Sequence, residues 1–333
     1  MSIDRFICDA FSQWLEATFD SQQVRGIEHD AANSDDWQKI IDSGFADLLV
    51  PEEAGGAGAG LETFGEVLHT CGACALPLAL ATTLWIRAAL VAEGIRVPPG
   101  AIALANGQRD GQAVSCSRVA FGAQAQWVLV VLGEEAWLLA VAAAQPLDTA
   151  HDQRLSTDLR WPTLPAEAMK LQQAQDWQAI GAAIFAALIA GAASRVLRLS
   201  LSYAAERSQF GKPIGRFQAV QQQLSVLAEE VYAVRMAAQL VLRGPTLHVD
   251  PALAAVAKAR ASQAVASVTA IGHMVHGAIG ITEEYDLQLY TRRLHEWRLQ
   301  FGSEQYWQRR LGHALLDSPL PVLDFMRELT TTA

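Results

Sequence analysis

The sequence predicts a mainly helical protein: an N-terminal helical domain, a small middle β domain, and a C-terminal helix bundle. Three observations carry that prediction. Apolar residues recur at helical spacing in the first hundred residues, short apolar runs separated by Gly and polar turn residues fill the middle, and long Ala-rich segments return afterwards. A chain of 333 residues fits two or three domains at roughly 150 residues each. The expected boundaries are residues 1–98, 99–165 and 166–333.

The N-terminal part reads as helices. Trp14, Leu15 and Phe19, then Trp37, Ile40 and Ile41, lie at helical spacing, and Ser34 with Asp35 and Asp36 forms a helix start before Trp37. In residues 44–64, Pro51 and Gly55, Gly56, Gly58 and Gly60 break the helix, which predicts a flexible inter-helix loop. A phosphate cradle finds no support there, because no Lys follows and no strand–glycine–helix unit surrounds it. Helical patterning resumes at Leu61 and continues to about Glu93.

Pro98, Pro99 and Gly100 mark a change of composition. The runs Ala101–Ala105, Val114–Phe121, Trp127–Leu132 and Ala136–Ala142 predict a β insert ending near Leu164. From about Glu167 to Thr330 the pattern is helical again, with turns at Gly244–Pro245 and Pro251 and at Gly272–Gly280.

Hydrophobic residues make up 51% and charged residues 18%, enough to bury a large core and too apolar for a disordered chain. Lys and Arg number 25 against 35 Asp and Glu, a net charge of −10, which argues against a general nucleic-acid binder. A local cationic pocket for a small anion stays open. Four cysteines are too few for a disulfide scaffold, so a reduced, cytoplasmic location is the expectation. The N-terminus has no basic region followed by an apolar one, so no secretory signal is expected. Trp177–Ser194 carries no charge, but the run is short for a bilayer and rich in Ala and Gly. It is expected as a buried central helix rather than a membrane span. Segments 179–193 and 253–269 carry Ala and Gly on several faces, which implies surplus apolar surface buried by association.

Some motifs lack the context their chemistry needs. Cys71 and Cys74 have redox spacing but no parallel α/β unit and no further zinc ligands, so two small buried thiols are expected. His273 and His276 share a helix face, but no third ligand completes a metal site, and Gly277 is expected to end that helix. No nucleophile elbow is present.

Residues 204–221, AERSQFGKPIGRFQAVQ after Ala204, are more specific. A helix ends, a turn holds Arg207, Phe210, Gly211 and Lys212, and a new helix begins after Gly215. Arg207, Lys212 and Arg216 place three cations within ten residues of an acidic protein. A guanidinium matches phosphate oxygens two at a time, and Phe210 can lie against a ring or sugar. Composition alone leaves a solvated basic turn equally open.

This segment resembles the signature of the acyl-CoA dehydrogenase family. Two others agree with it: Gly44–Gly58 (GFADLLVPEEAGGAG), and His276–Tyr285 (HGAIGITEEY) followed by Arg292 and Phe301-Gly-Ser-Glu-Gln305. The likeness is strongest over residues 185–312, less over 37–95, and weak across the β insert. It implies a helical domain, a β domain and a four-helix bundle, with FAD as cofactor and α,β-dehydrogenation of an acyl-CoA thioester as reaction. It further implies an arginine turn that grips the FAD pyrophosphate of a neighbouring subunit. Carried over to this chain, the cofactor contacts fall on Arg207, Gln209, Phe210, Gln218, Met274, Gly277 and Gly280, with Ser303 and Gln305 touching flavin within the subunit.

The departures from the family pattern are specific. The usual catalytic glutamate falls on Phe301, and the alternative base position, counted back from Gly191, falls on Gly181. A Thr-Glu-Pro-Gly turn and a Trp-bearing strand that cover the flavin ring have no counterpart between Ala101 and Pro165, and Met274 replaces a usual glutamine. The losses belong to the ring-holding subunit, while the pyrophosphate and adenosine wall is mostly kept. The resemblance therefore implies a base-lacking subunit of a heteromeric acyl-CoA dehydrogenase, of the kind that handles steroid side chains and similar bulky acyl groups. Its partner is a homologous subunit carrying the glutamate, in an α2β2 assembly sharing FAD across the interface. Two alternatives stand beside this reading: a homomeric enzyme with a relocated base, for which Glu304, Glu296, Glu283 and Glu284 are candidates, and a ligand-free scaffolding subunit.

Overall fold

The computed structural model describes residues 3–30, 34–147, 156–244 and 246–331, so Pro245 of the expected interhelical turn lies outside the described residues. The chain forms two compact units, residues 1–64 with 76–181, and residues 65–75 with 182–333.

Helices α1 (Ile3–Thr18), α2 (Ser21–Asp30) and α3 (Ser34–Asp42) open the first unit. Of the apolar positions read from spacing, Leu15, Phe19, Trp37 and Ile40 are buried and Trp14 and Ile41 are half-buried, and Phe11 meets Phe45 edge-on at 5.0 Å. Asp35 and Asp36 stand in the first turn of α3, where the helix dipole favours negative charge.

The Gly-rich segment is not the flexible loop expected of its composition. It folds back on residues 47–50: Ala57 N–H donates to Asp47 O, Gly58 N–H to Val50 O at 2.8 Å and Ala59 N–H to Leu48 O at 2.9 Å. A Cβ at Gly56 would overlap the Val50 carbonyl, so this glycine serves close backbone approach. Arg87 then clamps Asp47 with two hydrogen bonds, Nε to Oδ1 at 2.7 Å and Nη2 to Oδ2 at 2.9 Å.

The single helical stretch expected from Leu61 to Glu93 is two helices, α4 (Leu61–Ala73) and α5 (Leu80–Ala92). Ala75 takes a left-handed φ of 51°, and Pro77 cannot donate to a helix ladder. On α5, Thr82 Oγ1 donates to Ile102 O at 2.7 Å and Thr83 Oγ1 accepts from Ile102 N–H at 2.8 Å. These bonds fix the start of the β part onto the helix before it.

That part contains β1 (Ile102–Asn106), β2 (Gln108–Asp110), β3 (Ala113–Ala120), β4 (Trp127–Leu132), β5 (Glu135–Ala140), β6 (Gln145–Leu147), β7 (Ser156–Trp161) and β8 (Met169–Leu171). They build two four-stranded sheets in the orders β1-β4-β5-β8 and β2-β3-β7-β6, with β1 and β4 parallel and the other pairs antiparallel. Strand structure thus runs past Leu164, because β8 returns to pair with β5.

Among its described residues the second unit, which also takes in residues 65–75 at the end of α4, is helical apart from one small hairpin. It is built from α6 (Trp177–Glu206), whose first residues belong to the first unit, then β9 (Ser208–Gln209), β10 (Lys212–Pro213), α7 (Gln218–Val241), α8 (Pro251–His276), α9 (Leu287–Leu299), α10 (Glu304–Asp317) and α11 (Val322–Thr331). Asp250 caps α8, its carboxylate accepting from Ala252 and Leu253 N–H, and Pro251 takes the first position, where no N–H is needed.

α6 and Pro251–Ile281 are long and apolar enough to cross a membrane by length and composition, but the apolar window of α6 is 89% buried in its own chain. The surplus apolar surface expected on residues 179–193 is therefore used within the protomer, whereas the apolar window of Pro251–Ile281, which holds the second such segment, is only 50% buried. The reason is a close crossing of α6 with the end of α4. A Cβ at Gly191 would overlap the His69 carbonyl oxygen, and one at Gly72 would overlap that of Leu188. His69 Nε2 lies 3.0 Å from Ser194 Oγ across the same crossing. Gly191→Ala is expected to lower stability by about 3 kcal/mol, since backbone rather than a flexible side chain must give way. Urea denaturation measures it, and an unchanged midpoint would contradict the crossing.

Candidate functional site

Three segments of the second unit hold most of the residues singled out by sequence. The first is the arginine hairpin. α6 ends at Glu206, Arg207 N–H donates to Tyr203 O at 2.8 Å, and Ile214 N–H donates to Arg207 O at 2.8 Å. β9 and β10 pair around Phe210 (φ 52°) and Gly211 (φ 79°). Two left-handed residues suit a two-residue hairpin, but a phenylalanine there costs about 1–2 kcal/mol. Phe210 is 92% exposed, and among the described residues its ring meets that of Phe217 alone, edge-on at 6.2 Å. Arg207, Gln209 and Gln218 are exposed as well. The Arg207 and Arg216 guanidinium groups have no hydrogen bond or ion pair among the described residues, and Lys212 Nζ lies 4.4 Å over the Phe217 ring.

The second segment follows α8. The helix ends at His276 as expected, with Gly277 at φ 65° and ψ −144°, a conformation open to glycine and strained for other residues. Gly280 is different: it is buried, and a Cβ would meet Leu287 Cδ2 at 2.9 Å and His276 Cβ at 3.0 Å, so its absent side chain serves packing. Met274 is 57% exposed on the last turn of α8. His273 Nε2 lies 3.1 Å from Thr291 Oγ1, and the described residues contain no group of three His, Cys, Asp or Glu placed to hold a metal.

The third segment is the turn from α9 to α10. Phe301 has φ 50°, is buried, and stacks on Phe185 of α6 at 5.8 Å and 18°. Phe185 lies one helical turn past Gly181, which is itself buried. Trp307 Nε1 donates to Phe301 O at 2.8 Å. Ser303 caps α10, its hydroxyl accepting from Tyr306 N–H, and Gln305 is exposed.

Sequence reasoning missed the residue that holds this turn. Lys258 of α8 is fully buried, and Nζ donates to Ser262 Oγ at 2.7 Å, Arg298 O at 2.8 Å and Gly302 O at 2.9 Å. Burial pushes its ammonium down to about 7, against the opposing pull of Glu304. The signal was present: Lys258 interrupts the stripe Ala254, Ala261, Ser262 and Val265, which has the spacing of one buried helix face.

The candidate bases are all committed elsewhere or exposed. Glu304 forms an ion pair with Arg298, whose Nε reaches Oε2 at 3.0 Å and whose Nη2 meets Oε1. This hydrogen bonding holds the Glu304 carboxyl below its ordinary value, which makes it a weak proton acceptor at neutral pH. Glu296 is buried and accepts from Gln300 Nε2 at 3.0 Å, while Glu283 and Glu284 are exposed. Cys71 is buried, and burial raises its thiol well above the usual value, so no reactive thiolate forms; Cys74 is half-buried.

The tryptophans of the β part make protein hydrogen bonds: Trp127 Nε1 to Pro99 O, Trp137 Nε1 to Glu135 Oε2 and Trp161 Nε1 to Ala140 O. A surface cleft of about 340 Å³ lies there between Gly107, Arg109, Leu132, Gly133 and Glu135, but it contains none of the residues read as cofactor contacts.

Fold and site together define a helical scaffold with an inserted β part and an outward-facing cationic hairpin. Residues 173–316 match the C-terminal domain of acyl-CoA dehydrogenases. The chain is 32% identical to the acyl-CoA dehydrogenase IpdE2 of Mycolicibacterium smegmatis, covering 83% of this chain and 86% of that protein. It is also 32% identical to IpdE2 of Mycobacterium tuberculosis, over 85% and 87%. It superposes on the Tcur3481–Tcur3483 steroid ACAD G363A variant with a TM-score of 0.80 at 23% identity, covering 94% and 98% of the two chains. For the ChsE4–ChsE5 complex from Mycobacterium tuberculosis the TM-score is 0.76 at 19% identity, covering 96% and 99%. The chain belongs to the acyl-CoA dehydrogenase family, whose oxidoreductases use FAD.

For FAD the residues present divide into two sets. The hairpin fits an anionic, ring-bearing ligand: among the described residues Arg207 and Arg216 have no carboxylate partner, and Phe210 is open to solvent. The Phe301 turn does not fit the reacting end, because an apolar stack fills the place where the resemblance puts a carboxylate.

Glu304→Gln is expected to cost about 1 kcal/mol at pH 7 through loss of the Arg298 pair. A lowered carboxyl pKa contributes stability that is present above the ordinary carboxylate range and is lost as pH falls through the lowered value. The difference between variant and wild type should therefore shrink on acidification, as read by urea denaturation at neutral and acidic pH.

Proposed function

We propose that this chain is the base-lacking subunit of a heteromeric acyl-CoA dehydrogenase. It supplies the FAD pyrophosphate and adenosine wall in trans to a homologous subunit that carries the catalytic glutamate. The observation that carries the reading is the buried Phe301–Phe185 stack, 5.8 Å between centroids, on a chain whose hairpin cations lack carboxylate partners. One site is apolar and filled; the other is charged and open.

When bound, FAD supplies the hydride acceptor for α,β-dehydrogenation of a CoA thioester. The residues of this chain bind and orient. Arg207 grips phosphate oxygens with its planar fork, and Gln209 and Gln218 supply amide donors. Phe210 covers apolar surface at the hairpin tip, Gly277 lets the backbone of the second segment approach, and Gly280 supports that segment from below by packing against Leu287. Met274 sits where the family has an amide and contributes only its thioether, while Ser303 is already used as a helix cap. Proton abstraction falls to the partner, because Phe301 has no acceptor and Glu304 is held by Arg298.

Two of the structures on which the chain superposes are described as pairs of different chains, one of them a steroid ACAD. They support an α2β2 assembly and a bulky, steroid-type acyl group. The setting proposed is cytoplasmic, because four cysteines are too few for a disulfide scaffold.

The purified chain alone is expected to show no turnover of acyl-CoA with an electron-acceptor dye, and turnover lost on Glu304→Gln would overturn the reading. In the complex with its partner, Arg207→Ala is expected to weaken FAD retention about tenfold or more, since a charge-assisted phosphate contact contributes about 1.5–3 kcal/mol. Flavin fluorescence after desalting measures it. Unchanged flavin content would favour a scaffolding role.

A further inference from the structure

Among the groups to which the proposed function gives no role, one imidazole occupies an unusual junction. His276 is the last residue of α8 and is 4% exposed. Its ring stacks on Tyr203 of α6 at 4.7 Å and 29°. Tyr203 lies one turn before the hairpin, and its carbonyl accepts the Arg207 N–H at 2.8 Å. On the other side, His276 Nε2 lies 3.2 Å from the Tyr285 hydroxyl, just ahead of α9. Tyr285 and Tyr203 meet edge-on at 6.1 Å, so three rings from three segments form one cluster.

His276 Nδ1 lies 2.7 Å from Gly272 O, and a carbonyl can only accept, so Nδ1 donates there. Burial lowers the pKa of the ring against the Gly272 and Leu199 carbonyls, which raise it, and in the neutral ring Nε2 accepts from the Tyr285 hydroxyl.

We infer that His276 is a positioning residue that sets the spacing between the arginine hairpin and the Gly277–Ile281 segment. The tip of the hairpin, residues 207–211, is exposed, and its base is held to the start of α7 by Gln221 Nε2, which donates to Gly215 O at 3.0 Å, and to the end of α6 by the close approach of Gly215 to Ala204. Its placement is inherited from the end of α6, where the Tyr203–His276 stack fixes that helix against α8. The Gly277–Ile281 segment starts at the residue after His276, so one ring governs both. The inference rests on the reading of these segments as the cofactor-holding wall.

The test uses the purified full chain with ADP, which carries the adenosine and diphosphate of the cofactor. Hydrogen–deuterium exchange is followed at Ser208–Gly211 and at Gly277–Ile281, and ADP binding by calorimetry. His276→Leu is expected to speed exchange about tenfold at both segments and to weaken ADP about tenfold, with the unfolding midpoint of the rest of the chain little changed. Tyr203→Phe keeps the ring and should behave as wild type, whereas Tyr203→Ala should reproduce the His276→Leu result. Tyr285→Phe removes one hydroxyl and serves if His276→Leu fails to fold; it should loosen the same two segments to a smaller degree. Faster exchange confined to Gly277–Ile281, with the hairpin unaffected, overturns the inference. If both segments loosen but Arg207→Ala leaves ADP binding unchanged, or ADP does not bind wild type, the brace stands and the cofactor reading falls.

Discussion

The close approach of α4 to α6 is the constraint on which the rest of the second unit depends. At Gly72 and Gly191 no side chain separates the two backbones. That crossing fixes the helix that presents Phe185 to Phe301, Tyr203 to His276 and Arg207 to solvent. A displacement of α6 would disturb all three at once. Interiors are close-packed, so such a shift has no slack to absorb it.

The turn from α9 to α10 combines two opposite solutions. Beneath it lies a buried ammonium, an expensive group to remove from water, held by one hydroxyl and two carbonyls. Above it, the position matching the family's carboxylate is a phenyl ring in a left-handed conformation. The turn thus pairs a buried polar support with an apolar tip, and the proposed base-lacking role rests on that contrast.

Much of the element order could be read from sequence, because helix ends and turns are local. Gly277 closing α8, Pro251 opening it, and the hairpin between Arg207 and Gly215 follow from residues within a turn of each other. The split between α4 and α5 was hidden because Ala and Leu on both sides outweighed a single Pro77. The Gly-rich segment was misread as flexible because its order comes from backbone bonds to residues 47–50, which composition does not report. The site divides in the same way. Arg207 and Phe301 were visible through motif resemblance. Lys258 and its carbonyls lie 40 and 44 residues apart, and the Tyr203–His276 stack joins two helices far apart in sequence. Only folding brings these partners together.

The Phe301–Phe185 stack also bears on the history of the chain. Phe301→Glu alone would place a carboxylate against a phenyl face, where desolvation favours the protonated, non-basic form. Lys258 has no spare proton to compensate it, since three acceptors already occupy its ammonium. Placing a base at this position would require repacking both aromatic residues together. Under the proposed division of labour between subunits, the stack would work as a ratchet, making each partner indispensable to the other through side-chain volume as much as through chemistry.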